Sequence, residues 1–212
     1  MKQKTKKPVI IFISNRFGYG PTIALLNVAR EFIKKIDADF VFAGSGICKE
    51  AFNAVFEKKI VFVETDEHNY DEIKKFILRY KNRKVFLISC LNRLAIVVAK
   101  ELKIPNALID LLTWTWNKIP KGFESADHYF SNHFGTKNKK PYMIEVPLII
   151  GPVPYKKNVN KKYLLINIGG VQNHLVESLP ENYLKLVSYF LNTLKVPSNL
   201  KVVVASGSQS VK

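Results

Sequence analysis

The stretch Val9-Ile-Ile-Phe-Ile-Ser-Asn-Arg-Phe-Gly-Tyr-Gly-Pro-Thr-Ile-Ala-Leu-Leu-Asn-Val-Ala-Arg30 decides the fold. Val9 to Ile13 is continuously apolar, the pattern of a strand covered on both faces of a parallel sheet. The chain then crosses a loop, Asn15 to Gly20, and takes up helical periodicity. Pro21 suits the first turn of a helix, where its missing N–H is no loss. Leu25, Ala29, Phe32 and Ile36 recur at helical spacing, and Leu26 and Ile33 widen the stripe. The expected unit is strand, loop, helix, with the helix start facing the end of a buried strand. Open α/β sheets place ligands there, because the strand edge leaves a crevice and the helix start offers free N–H groups. Gly18 and Gly20 therefore have two readings, close approach to a ligand or a tight turn. Ile23 fills the place of the third glycine of a dinucleotide fingerprint, and the second strand ends in Gly44-Ser45-Gly46 rather than an acid.

Outward from this unit, apolar runs at Phe40–Ala43, Ile60–Val63, Val85–Ser89 and Asn106–Ile109 alternate with helical segments, and Tyr129-Phe130 and Tyr142–Leu148 add short extended pieces. Asp71 is the expected N-cap of a helix over Glu72–Tyr80. Strands alternating with helices imply right-handed βαβ crossovers and a Rossmann-like, doubly wound, mainly parallel α/β sheet. Residues 1–150 read as this first domain, and the proline- and lysine-bearing segment 151–162 reads as a linker. Residues 163–212 read as the start of a second α/β unit, apparently truncated, since strand, helix and strand cannot close such a core.

The 212 residues carry a formal charge of +16, with 47% hydrophobic and 24% charged side chains, a balance that suits a packed globular core. No apolar run approaches the roughly 20 residues a membrane span needs, and the basic start lacks a cleavage site, so a cytoplasmic location is expected. Cys48 and Cys90 are too few for a disulfide framework or a zinc site and read as core thiols. The histidines have no metal-ligand spacing, so no metal is expected. The charge would attract polyanions, yet paired lysines are spread along the chain and no nucleic-acid module appears. Peripheral contact with anionic surfaces stays open, as does the oligomeric state.

Two Rossmann-like units joined by a proline-containing linker resemble a GT-B glycosyltransferase. The loop Ser14-Asn-Arg-Phe-Gly-Tyr-Gly20 is similar to the first loop of the acceptor domain in that family, and Leu164-Leu-Ile-Asn-Ile-Gly-Gly170 to the turn that opens the donor domain. Lys201-Val-Val-Val-Ala-Ser-Gly207 resembles the next donor-domain strand. The segment Asp110-Leu-Leu-Thr-Trp-Thr-Trp116 is similar to enzymes that attach glucuronic acid to cytosine. The resemblance implies a small-molecule acceptor and a nucleotide-diphosphate sugar, which is a substrate, with no separate cofactor. It also implies acceptor contacts from Asn15, Gly18, Gly20, Trp114 and Trp116, and donor contacts from Gly169, Gly170, His174 and Ser206. Many relatives carry His or Asp as base in the first loop, where this chain has Asn15 and Arg16. Later donor-binding motifs would lie after Lys212.

Transfer requires a base for the acceptor and stabilisation of the departing diphosphate. Asp110, at a strand end, is the expected base, because partial burial raises a carboxyl pKa; its bland alternative is a cap on the following turn. Trp114 and Trp116 either stack on a ring or fill a core. His128 and His133 are acid–base candidates or hydrogen-bonded structural histidines. The rival reading of the whole chain is a non-catalytic α/β module that holds an anionic partner.

Overall fold

The computed structural model of the chain describes residues 6–16, 18–55, 59–113, 116, 118–132, 140–147 and 149. It also describes strands at 163–169 and 201–206 and helical positions 185, 188, 189, 192 and 193. The chain divides into two compact units, Met1–Pro152 and Val153–Lys212. In the first, β1 (Val9–Ser14), α1 (Tyr19–Lys35), β2 (Asp39–Gly44), α2 (Ile47–Ala54), β3 (Ile60–Glu64), α3 (Tyr70–Leu78), β4 (Val85–Cys90), α4 (Arg93–Glu101), β5 (Asn106–Asp110), β6 (His128–Asn132) and β7 (Met143–Val146) follow in order. A 3-10 turn at Phe123–Ser125 precedes β6.

The strands form one seven-stranded sheet in the order β3-β2-β1-β4-β5-β6-β7, and every pairing is parallel. The order reverses between β1 and β4, where the crossover through α3 carries the chain from one flank to the other. α1 packs on α2 and α3 on α4, as right-handed crossovers in opposite directions require of helices on opposite faces. β1 is buried at all six positions. Phe12, at its centre, stacks against Phe40 and Phe42 of β2, and Phe42 against Phe62 of β3. Both faces of the central strand lie under helices, which is why its sequence does not alternate.

Two local readings change. The N-cap of α3 is Asn69, whose Oδ1 accepts from Asp71 N at 3.0 Å and Glu72 N at 3.2 Å, so Asp71 lies inside the first turn. His128 opens β6 rather than following a strand end, and Asp110 is the last residue of β5. Both cysteines are buried and unpaired. Among the described residues no helix is long and apolar enough to cross a membrane. In the second unit, β8 (Tyr163–Gly169) and β9 (Lys201–Ser206) pair in parallel.

Candidate functional site

The site is built where the loops leaving the C-terminal ends of β1, β2, β3 and β4 converge. Asn15 follows β1; its N–H donates to Cys90 O at 2.9 Å and its Nδ2 to Leu91 O at 3.2 Å, tying β1 to β4 at the reversal of strand order. Its Oδ1 is buried with no hydrogen-bond partner among the described residues. Leu91 holds a left-handed backbone, φ 57°, a conformation that a branched apolar residue adopts only under constraint. Asn92 caps α4 by accepting from Ala95 N at 2.9 Å, and its Nδ2 donates to Glu67 O at 2.8 Å. The loop after β3 is thereby fastened beside the switch point.

That loop carries the least expected residue. The Glu67 side chain is fully shielded from solvent. Its Oε2 accepts from Ser45 Oγ at 2.8 Å, whereas Oε1 makes no hydrogen bond among the described residues and faces Arg16 Nε at 3.6 Å and His68 Nε2 at 3.8 Å. Arg16 Nη1 donates to Ser45 Oγ at 2.9 Å and stands 3.6 Å from Asp66 Oδ1. Ser45 accepts from the guanidinium and donates to the carboxylate, so one hydroxyl orients both charges. Ser45 is itself fixed from below, because a Cβ at the neighbouring Gly44 would meet Cys48 Cβ at 2.7 Å and only glycine fits there. Burial pushes the Cys48 thiol up, and that of Cys90 further, so neither supplies a thiolate.

α1 begins at this rim with Gly18 as N-cap, no side-chain cap and no acidic residue in its first turn. A Cβ at Gly18 or Gly20 would meet nothing within 4 Å. Packing among the described residues therefore demands neither glycine, and of the two only Gly18, at φ 156°, has a backbone that a side chain would strain.

Asp110 lies two strands from β1, and its environment differs. It is fully buried, and its carboxylate accepts from Leu112 N at 2.8 Å, Trp116 Nε1 at 3.0 Å and the Tyr129 hydroxyl at 2.5 Å. Burial raises its pKa despite these three donors. Burial and the Asp110 charge also hold the Tyr129 phenol well above its ordinary value. The half-buried Trp116 packs on the core edge. Trp114 and His133 lie outside the described residues. His128 pairs with Ala107, and Asp110 with Ser131, so the sheet holds His128 at its opposite, N-terminal edge and does not bring it to Asp110. Asn132, which ends β6, is buried, and its Oδ1 has no hydrogen-bond partner among the described residues.

In the second unit, Gly169 and Ser206 are register partners at the C-terminal ends of β8 and β9, after a register irregularity between Asn167 and Gly169. Gly170 and His174 lie outside the described residues. No group of three potential metal ligands occurs among the described residues. Sequence reasoning missed Ser45, Glu67 and Asn92, and set Arg16 aside as no base. Their shared signal is position, each lying just beyond the C-terminal end of a parallel strand.

No family model and no curated protein matches the chain. Solved structures do. MurG of Acinetobacter baumannii is similar with a TM-score of 0.54 and 11% identity, over 94% of this chain and 66% of that one. A UDP-glucosyltransferase of Polygonum tinctorium that glucosylates indoxyl gives 0.53 and 16%, over 78% and 60%. The glycosyltransferase of kitacinnamycin gives 0.53 and 12%, over 96% and 67%. The chain thus spans about two thirds of the length of the structures it matches. At this identity the likeness is one of fold, and the fold is that of GT-B glycosyltransferases.

Proposed function

We propose that the chain contributes the acceptor side and the opening of the donor side of a glycosyltransferase that uses a nucleoside-diphosphate sugar. The observation that carries this reading is the convergence of four strand-end loops at the switch point, where α/β sheets bind ligands, on a fold shared with sugar-transferring enzymes. In the reaction the acceptor nucleophile bonds to the anomeric carbon, the bond from that carbon to the diphosphate breaks, and the acceptor proton passes to a base. Glu67 takes the role of base, since its Oε1 is buried with no hydrogen-bond donor among the described residues. Arg16, its side chain 43% exposed, covers that oxygen until the acceptor arrives. Asn15 and the helix start at Gly18 and Gly20 hold the acceptor, and Trp114 and Trp116 are assigned as further acceptor contacts. Asp110 is a positioning residue that fixes Trp116 and Tyr129. His128, at the other edge, has no part. Gly169, Gly170, His174 and Ser206 are assigned as contacts to the diphosphate. No separate cofactor enters, and the reaction belongs in the cytoplasm, where Cys48 and Cys90 remain thiols.

Calorimetric titration with uridine, guanosine and thymidine diphosphate sugars tests the reading. Binding of one nucleotide class is expected. Once an acceptor is found, Glu67→Gln should lower turnover by about 10²–10⁴-fold while leaving nucleotide affinity unchanged. Absence of binding to the whole panel would instead favour a non-catalytic anion-binding module.

A further inference from the structure

The opposite edge of the first unit's sheet carries a groove of about 450 Å³. It lies between the C-terminal ends of α3 and α4 and the starts of β4 and β5. Its floor is carbon: Ile77 and Leu78 from α3 face Leu102 and Ile104 beyond α4. Leu78 is 41% exposed, uncommon for a leucine beside a core. Lys81, Lys84 and Lys103 stand on the rim, all exposed.

The charges around the groove are unevenly matched. Arg83, also in its wall, is committed to Lys7 O and the Asp39 carboxylate. Glu101, at the end of α4, pairs with Lys74. Among the described residues no carboxylate pairs with Lys81, Lys84 or Lys103. Lys103 also holds a left-handed backbone, φ 54°, just past the end of α4, where glycine would sit without strain.

We propose that this groove docks the chain on the anionic surface of a phospholipid membrane. A lone phosphate would meet the lysines but gain nothing from the floor. A phospholipid layer supplies phosphates at the height of the ammonium groups and acyl carbon at the height of Leu78, and lysine stems reach along apolar surface to allow both contacts. The net charge of +16 favours approach to such a surface. Docked this way, the strand-end site at the other edge of the sheet faces away from the bilayer. The inference goes beyond the transfer reading and does not depend on it, because it concerns binding to lipid without any sugar nucleotide.

The test is co-sedimentation of the protein with vesicles of phosphatidylglycerol mixed with phosphatidylcholine, against vesicles of phosphatidylcholine alone. Binding only to the mixed vesicles is expected. The variant Lys81→Gln/Lys84→Gln/Lys103→Gln should partition about a hundredfold less, each lysine near a charged surface contributing about fivefold. A control with the same net charge, Lys118→Gln/Lys121→Gln/Lys140→Gln, changes exposed lysines outside the groove and should bind nearly as the parent does. Leu78→Ser should cost about tenfold with no change in charge. Equal losses in the two triple variants would overturn the proposal by showing that diffuse charge suffices. So would release by inorganic phosphate beyond that caused by sodium chloride at equal ionic strength, which would mark a soluble-anion pocket. Melting curves of all variants check that each is folded.

Discussion

Two carboxylates are buried at the C-terminal rim of one sheet, and they are treated oppositely. Asp110 is surrounded by donors drawn from three places in the chain: a backbone N–H, an indole and a phenol. Glu67 receives one hydroxyl, keeps one oxygen without a hydrogen bond among the described residues, and stands beside the partly exposed side chain of Arg16. Burial alone therefore does not nominate a catalytic group. A carboxylate whose lone pairs are filled by fixed donors is part of the scaffold, and one that is shielded but underused is available for chemistry.

The comparison breaks most visibly at Asp110. Asp110→Ala strands the Tyr129 hydroxyl, the Trp116 N–H and the Leu112 N–H together, and should cost about 3–5 kcal/mol of unfolding free energy, since each buried orphan costs about 1–3 kcal/mol. Urea denaturation followed by tryptophan fluorescence measures it, and a loss below about 1 kcal/mol would show that the network is dispensable. Asn92→Ala removes both the cap of α4 and the tether on Glu67 O; a loss of about 2 kcal/mol is expected, with faster amide exchange in residues 65–69. Tyr129→Phe takes away one donor of three and should cost about 1 kcal/mol.

The pH dependence sharpens the contrast. Burial raises the Asp110 pKa above its ordinary 3.8, so the folded chain holds that proton more tightly than the unfolded chain. Its contribution to stability is full below the unfolded value and is lost as pH rises through the raised one. Relative to Asp110→Asn, the parent should lose stability as pH climbs from about 4, and a flat difference would count against a raised pKa. The smallest effect belongs to Glu67→Gln. An amide oxygen can still accept from Ser45 Oγ, so stability should shift by under about 1 kcal/mol. A loss as large as that of Asp110→Ala would make Glu67 scaffold as well and remove the basis for its role as base.

The parallel sheet, its two-sided burial and the loop before α1 are legible in the sequence, because a continuous run such as Val9–Ile13 has few other uses. The rim acid Asp110 is legible by position as well. Its partners are not, since Trp116 and Tyr129 reach it from 6 and 19 residues away through a path that no periodicity encodes. Glu67 is hidden for the converse reason. Nothing in Asp66-Glu67-His68 marks it as buried, and its contacts to Arg16, Ser45 and Asn92 come from three other loops. The α3 cap shows the same limit on a smaller scale: Asn69 and Asp71 are both able to cap, and the entry path of the chain chooses Asn69.

The tie between Asn15 and Leu91 spans 76 residues, and this sets a schedule for synthesis. β1 emerges early, but its β4 flank stays bare until the chain has grown that far. At about 5–20 residues per second the interval is roughly 4–15 s. For that time Val9–Ile13 is an apolar, charge-free segment with one unsatisfied edge, a substrate for holding chaperones or for its own copies. The basic run Lys2–Lys7 that precedes it then acts as a gatekeeper, keeping nascent chains apart by like charge until β4 arrives.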